Sequence, residues 1–149
     1  MQSMSSGSRN ALRRQLGAAL AVGALFATVS TGANAQTVTV TVSQAKTTNY
    51  CSASQGGYYV CVDKDPIQTQ ATGADKHVEI IWNITSSGWF FDKNKGIDVQ
   101  NKRDWVPKPG SSPAQYTARN KSKDGMSYKY TINVTDSKTS LAWDPTIMN

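Results

Sequence analysis

Histidine, glutamate and cysteine are scarce in this 149-residue chain. Histidine occurs once, at His77, and glutamate once, at Glu79. A Ser-His-Asp or Cys-His device needs a histidine beside its nucleophile, and no serine here sits in a nucleophile-elbow motif. His77 falls on the polar face of a strand pattern, where a lone histidine is ordinary. Glycoside chemistry needs two converging carboxylates. With one glutamate available, the remaining acids are aspartates scattered through turn-like segments, where turn chemistry accounts for them. These shortages leave the chain with no catalytic residue to nominate. Dense Lys/Arg patches are missing too, so nucleic acid is not an expected partner. Helical periodicity is absent beyond the N-terminus, where no window sets apolar residues at i, i+3, i+4 and i+7.

The N-terminus has a separate character. Arg9, Arg13 and Arg14 precede an uncharged apolar run from Leu16 to Val29, and Ala33-Asn34-Ala35 follows with small residues at the recognition positions. This order predicts a secretory signal peptide over 1–35, with a run too short for a comfortable membrane span. Arg13-Arg14 hints at twin-arginine export, but its surroundings favour the ordinary secretory route. The expected product is one domain over 36–149, periplasmic or secreted, with no membrane span after cleavage. Removing three of the 16 basic residues and none of the 10 acidic ones lowers the net charge from +6 to +3.

The two cysteines, Cys51 and Cys61, are not spaced as C-x-x-C, and no histidine lies near them. In an exported chain they predict one disulfide rather than a metal or redox pair. Gly56 and Gly57 between them suit a turn that brings the ends together.

What is abundant is alternation. Thr37 to Val42 places valines on one face and threonines on the other. His77 to Ile84 and Tyr128 to Val134 alternate in the same way, and shorter runs occur at 58–62, 115–118, 141–143 and 146–148. Turn-rich breaks separate them, including Pro107 to Pro113. About seven strands at this spacing predict an all-β fold, an antiparallel β-sandwich.

Two features could carry function. Asp92-Lys93-Asn94-Lys95-Gly96-Ile97-Asp98 places oxygen-bearing side chains of Asp92, Asn94 and Asp98 at alternate positions, as calcium loops do. An EF-hand loop wants an acid or asparagine at Gly96 and a glutamate at the end, where Arg103 stands, and two lysines oppose a dication. The alternative is a turn with Asn94 or Gly96 at positive φ. The second feature is aromatic. Trp89, Phe90 and Phe91 are consecutive, so they cannot all face the core from one strand. Trp105 lies beside Lys102 and Arg103, where a ring with basic neighbours could stack a sugar or hold an acidic group. The favoured alternative is that Trp105 plugs one end of a sandwich, and Trp82 and Trp143 fit core positions.

Trp82-Asn83-Ile84-Thr85, Gly88-Trp89-Phe90-Phe91, Tyr128 to Val134 and the ending Asp144-Pro145-Thr146-Ile147-Met148-Asn149 together resemble a group of small exported proteobacterial proteins of unknown function that end in D-P-x-I-x-N. The resemblance spans residues 77 to 149 and implies a cupredoxin-like or immunoglobulin-like layout. A blue-copper site needs two histidines and a free cysteine, so copper is not expected here. The functional expectation is a non-catalytic binding or interaction module without a cofactor. Its partner would be a protein, a glycan or a small acidic ligand. The alternative is a calcium- or other metal-dependent protein using the Asp92 to Asp98 loop.

Overall fold

The computed structural model describes residues 35–69, 78–100, 103, 105–120 and 126–148. His77, Lys102 and the expected signal peptide up to residue 34 lie outside the described residues. Among the described residues twelve strands follow one another, many of them two to four residues long: β1 (Ala35–Ser43), β2 (Tyr50–Cys51), β3 (Tyr59–Val62), β4 (Ile67–Gln68), β5 (Glu79–Ile84), β6 (Phe90–Phe91), β7 (Ile97–Val99), β8 (Trp105–Pro109), β9 (Gln115–Asn120), β10 (Ser127–Thr135), β11 (Ser140–Trp143) and β12 (Thr146–Met148). None of the described elements is a helix long and apolar enough to cross a membrane.

Two sheets face each other. The first runs β2-β3-β1-β5-β9-β8. The second is organised around β10, with β11 and β12 along one side, β6 and β7 along the other, and β4 beyond β12. The alternation in β1, β5 and β10 drives this arrangement. Val38, Val40, Ile80, Trp82, Tyr130 and Ile132 all point into one buried cluster, while the intervening threonines, asparagines and lysines face outward.

The architecture is a β-sandwich, but the expected all-antiparallel set of about seven strands is corrected. β1 and β5 run parallel, with Val38 opposite Trp82, and β12 and β4 run parallel, with Ile147 opposite Ile67. The chain leaves the first sheet after β3, lends β4 to the second sheet, and returns as β5 beside β1. Such a crossover yields parallel neighbours, and no local pattern announces it.

Pro107 and Pro109 suggested a turn, yet both lie in β8. Gly110 N–H donates to the Gln115 carbonyl at 2.9 Å, continuing the β8–β9 ladder register. The backbone N–H and C=O groups of 106, 108 and 110 therefore face β9, and those of 105, 107 and 109 point away from it. Both prolines occupy edge positions where a missing N–H removes no ladder bond.

Pro145 is similar. β11 and β12 keep a single register opposite β10, from Ile132–Trp143 to Lys129–Thr146. The Tyr130 N–H donates to the Pro145 carbonyl at 3.1 Å, so the proline interrupts the strand assignment without a bulge. The carboxylate that accepts the Thr146 N–H, at 2.8 Å, belongs to Asp65 rather than to the neighbouring Asp144.

The expected disulfide is present. Cys51 and Cys61 sit directly opposite each other on β2 and β3. Gly56 and Gly57, at φ 60° and 84°, turn the hairpin between them. Gln55 and Tyr58 exchange both backbone hydrogen bonds there, at 2.8 and 3.1 Å, as a two-residue turn with two positive φ values should.

Candidate functional site

Trp105 is fully buried, and Trp89 is 7% exposed. Trp105 opens β8 opposite Asn120, at the end of the sandwich where β9 finishes. Trp89 lies at the other end, after β5, where it packs edge-on against Tyr58 with ring centroids 5.4 Å apart. The structure therefore does not bring Trp89 and Trp105 together as a stacking surface. Trp105 is a plug and Trp89 a core ring. Arg103 is exposed, and of the consecutive aromatics only Phe90, at 40%, faces water. Trp82 is core as expected, paired with Tyr130 at 5.5 Å, whereas Trp143 is half-buried and packs on the cluster's margin. Burial holds the Tyr130 phenol protonated far above its ordinary range, with Asp65 and Asp63 adding to the effect; the nearby Trp82 indole N–H opposes it without good hydrogen-bond geometry.

The segment with the calcium-like spacing has a different use. β6 and β7 pair the same side of β10, but the chain leaves the ladder between them. Asn133 marks both ends of the departure: its carbonyl accepts the Asp92 N–H at 3.0 Å, and its own N–H donates to the Gly96 carbonyl at 2.8 Å. Its side-chain amide also holds the Lys95 carbonyl at 2.6 Å. Residues 92–95 thus form a protrusion on an edge strand. Asp92 Oδ1 closes it by accepting the Asn94 and Lys95 N–H groups at 2.9 and 2.8 Å. This is the aspartate turn that competes with a ladder wherever the side chain can reach its own backbone. Asp98 lies outside the protrusion, in β7 opposite Thr131. Among the described residues, no three His, Cys, Asp or Glu side chains are grouped to hold a metal ion.

Neither Asn94 nor Gly96 takes positive φ; among the described residues the non-glycine residue that does is Ser137, in the turn after β10. Gly96 serves by having no side chain. A Cβ there would lie 2.6 Å from the Tyr116 ring and 2.7 Å from Phe91 Cβ. Tyr116 therefore lies across the Gly96 backbone, its ring 5.6 Å from that of Phe91 and inclined 60° to it. Burial raises the Tyr116 phenol pKa, the Asp92 charge adds to this, the Gly96 backbone opposes it, and Asp98 adds a smaller push upward.

Above this aromatic pair is a cleft of about 420 Å³. One wall is Phe91, Asp92 and Lys93; the other is the β8–β9 turn from Pro109 to Pro113. Gln115 builds that turn. Its Oε1 accepts the Ser111 N–H at 3.0 Å and the Ser111 hydroxyl at 2.9 Å, and its Nε2 donates to Asn83 Oδ1 at 3.0 Å. The walls are tied by Phe91 N–H to the Pro113 carbonyl at 3.0 Å, and the turn is held to β5 by Ile84 N–H to the Ala114 carbonyl at 2.8 Å. The volume lies within the roughly 300–1,000 Å³ usual for ligand sites. Sequence reasoning had Asp92 in a candidate site but not the cleft, because its walls come from segments some twenty residues apart.

No protein-family model matches this chain, and a search of curated proteins finds no significant relative.

Proposed function

We propose that this protein is an exported, non-catalytic binding module whose recognition site is the cleft between residues 92–95 and the β8–β9 turn. The observation that carries the reading is the cleft itself: a concavity of ligand-site size, walled by two loops at one end of a rigid sandwich. Gln115, Ser111 and Asp92 Oδ1 are committed to architecture, which favours holding a partner over transforming one. Export is supported by the basic-then-apolar N-terminus and by the Cys51–Cys61 disulfide, a bond that persists in oxidising compartments.

Expression of the whole chain in a bacterium, with N-terminal sequencing of the protein outside the cytoplasm, tests the export half. The expected product begins at Gln36 and carries no free thiol. Retention of residues 1–35 on cytosolic protein would sink it. Arrays of defined peptides and glycans test the binding half. Ser112→Trp, which fills the cleft from an exposed position, should abolish capture with no change in melting temperature. Equal capture by this variant, or no capture by the native protein, removes the cleft as the site. A calcium titration separates the metal-dependent alternative: no heat and no shift in melting temperature are expected.

A further inference from the structure

We infer that the cleft takes an extended peptide, anchored by an aromatic side chain with an acidic residue next to it. This rests on the cleft being the recognition site, and it names the partner chemistry.

The Gln115 amide and Asp92 Oδ1, which could read sugar hydroxyls, are already spent. Both ends of the Gln115 amide are occupied, as is Asp92 Oδ1. The Phe91 and Tyr116 rings, 5% and 4% exposed, pack on each other and over Gly96, so no open aromatic platform is offered to a sugar face. What remains is apolar: ring edges at the floor and the exposed pyrrolidine rings of Pro109 and Pro113 on one wall. Such a surface gains chiefly by burying an apolar group, and a ring is the side chain that brings the most area at low entropic cost.

The rim supplies the charge preference. Lys93 and Lys95 are exposed on the protrusion, and neither makes an ion pair among the described residues. The neighbouring Asp92 has one oxygen tied to backbone N–H groups. A carboxylate flanking the anchor meets the Lys93 ammonium on the cleft wall, with Lys95 two residues along the same protrusion. A rim pair of this kind sets orientation and salt dependence more than affinity.

The test is amide chemical-shift mapping on the disulfide-intact protein with four probes: acetyl-Glu-Phe-Glu-amide, acetyl-Glu-Ala-Glu-amide, acetyl-Lys-Phe-Lys-amide and an N-acetylglucosamine tetramer. The first should move the amides of Lys93, Gly110 and Ser111 with saturation. The alanine probe should bind about tenfold more weakly or worse, from the lost apolar burial. The lysine probe should lose up to about fivefold, as an exposed pair allows, and Lys93→Glu should reverse the order of the two Phe probes. Equal binding of the Phe and Ala probes overturns the inference. So does a tetrasaccharide that moves the same amides while the peptides do not, although the cleft then stands as a site. Shifts that fall elsewhere, or none from any probe, overturn both.

Discussion

The two long flanks of the sandwich are closed by opposite means. On one, the β11–β12 edge of the second sheet meets the disulfide-linked β2–β3 hairpin of the first. The Gln55 side chain there behaves as a strand residue: its Nε2 donates to the Ala142 carbonyl at 2.6 Å and its Oε1 accepts the Ala142 N–H at 3.0 Å. Two positions outward along the same edge from Asp144, Asp65 takes the Thr146 N–H, and then the Thr69 N–H takes the Met148 carbonyl at 2.8 Å. Side chains and β4 thus occupy successive outward-facing positions of an edge that would otherwise invite another strand. On the other flank, the β6–β7 edge is broken by the lysine-bearing protrusion, and β8 carries two prolines. Neither edge can accept a strand there, yet the flank is left parted, and the parting is the cleft. Both flanks are guarded against edge pairing, and only one keeps a concavity.

The largest expected effect separates the flanks by cross-link. Replacing both Cys51 and Cys61 with alanine should lower stability by about 3 kcal/mol through the freed loop entropy of the unfolded chain. Denaturant titration gives the magnitude. The amide shifts of residues 91–96 and 110–116 should stay in place, since the cross-link lies on the far flank. Movement of those amides would show that the cleft depends on the hairpin, and the contrast would fail.

Gly96→Ala attacks the other flank. The new methyl meets the Tyr116 ring and Phe91 Cβ at well under van der Waals distance, so overpacking of roughly 1–3 kcal/mol is expected. Combining it with Tyr116→Ala should cost less than the two single changes added together, because the smaller side chain removes the clash with the ring and leaves only that with Phe91 Cβ. An additive result, or a neutral Gly96→Ala, would mean that the ring does not rest on that backbone.

Much of this fold is legible residue by residue. The alternation of β1, β5 and β10 marks the core face correctly because a half-buried strand has a period of two. Turn chemistry assigned to the aspartates holds for Asp92 and Asp136, which accept N–H groups two and three residues on, whereas Asp63 and Asp65 accept the distant Thr39 and Thr146 N–H groups and so tie strands that no local pattern pairs. β2, β4 and β6 were not legible, since two residues carry no period. β8 was hidden by prolines that an edge tolerates. The cleft was invisible because it exists only where the Asp92 turn and the Gln115-built turn face each other across two sheets.

The smallest effect tests the sealed flank at one side chain. Gln55→Ala removes two partly exposed hydrogen bonds, a loss of about 1 kcal/mol. Its sharper readout is the Ala142 amide, which should exchange with solvent faster while its neighbours facing β10 keep their protection. Gln55→Glu separates the two bonds. The carboxylate still accepts the Ala142 N–H, but when ionised it sets an oxygen against the Ala142 carbonyl. Protonation restores a donor, so the folded state raises this group's pKa above the ordinary glutamate value of about 4.3. The stabilisation from the proton is then fully present below the unfolded pKa and lost as pH rises through the folded one. The variant should approach the native protein's stability in acid and fall below it at neutral pH. A stability gap independent of pH would mean that the Gln55 donor contributes nothing, and that the edge is sealed by the hairpin's bulk rather than by the amide's mimicry of a strand.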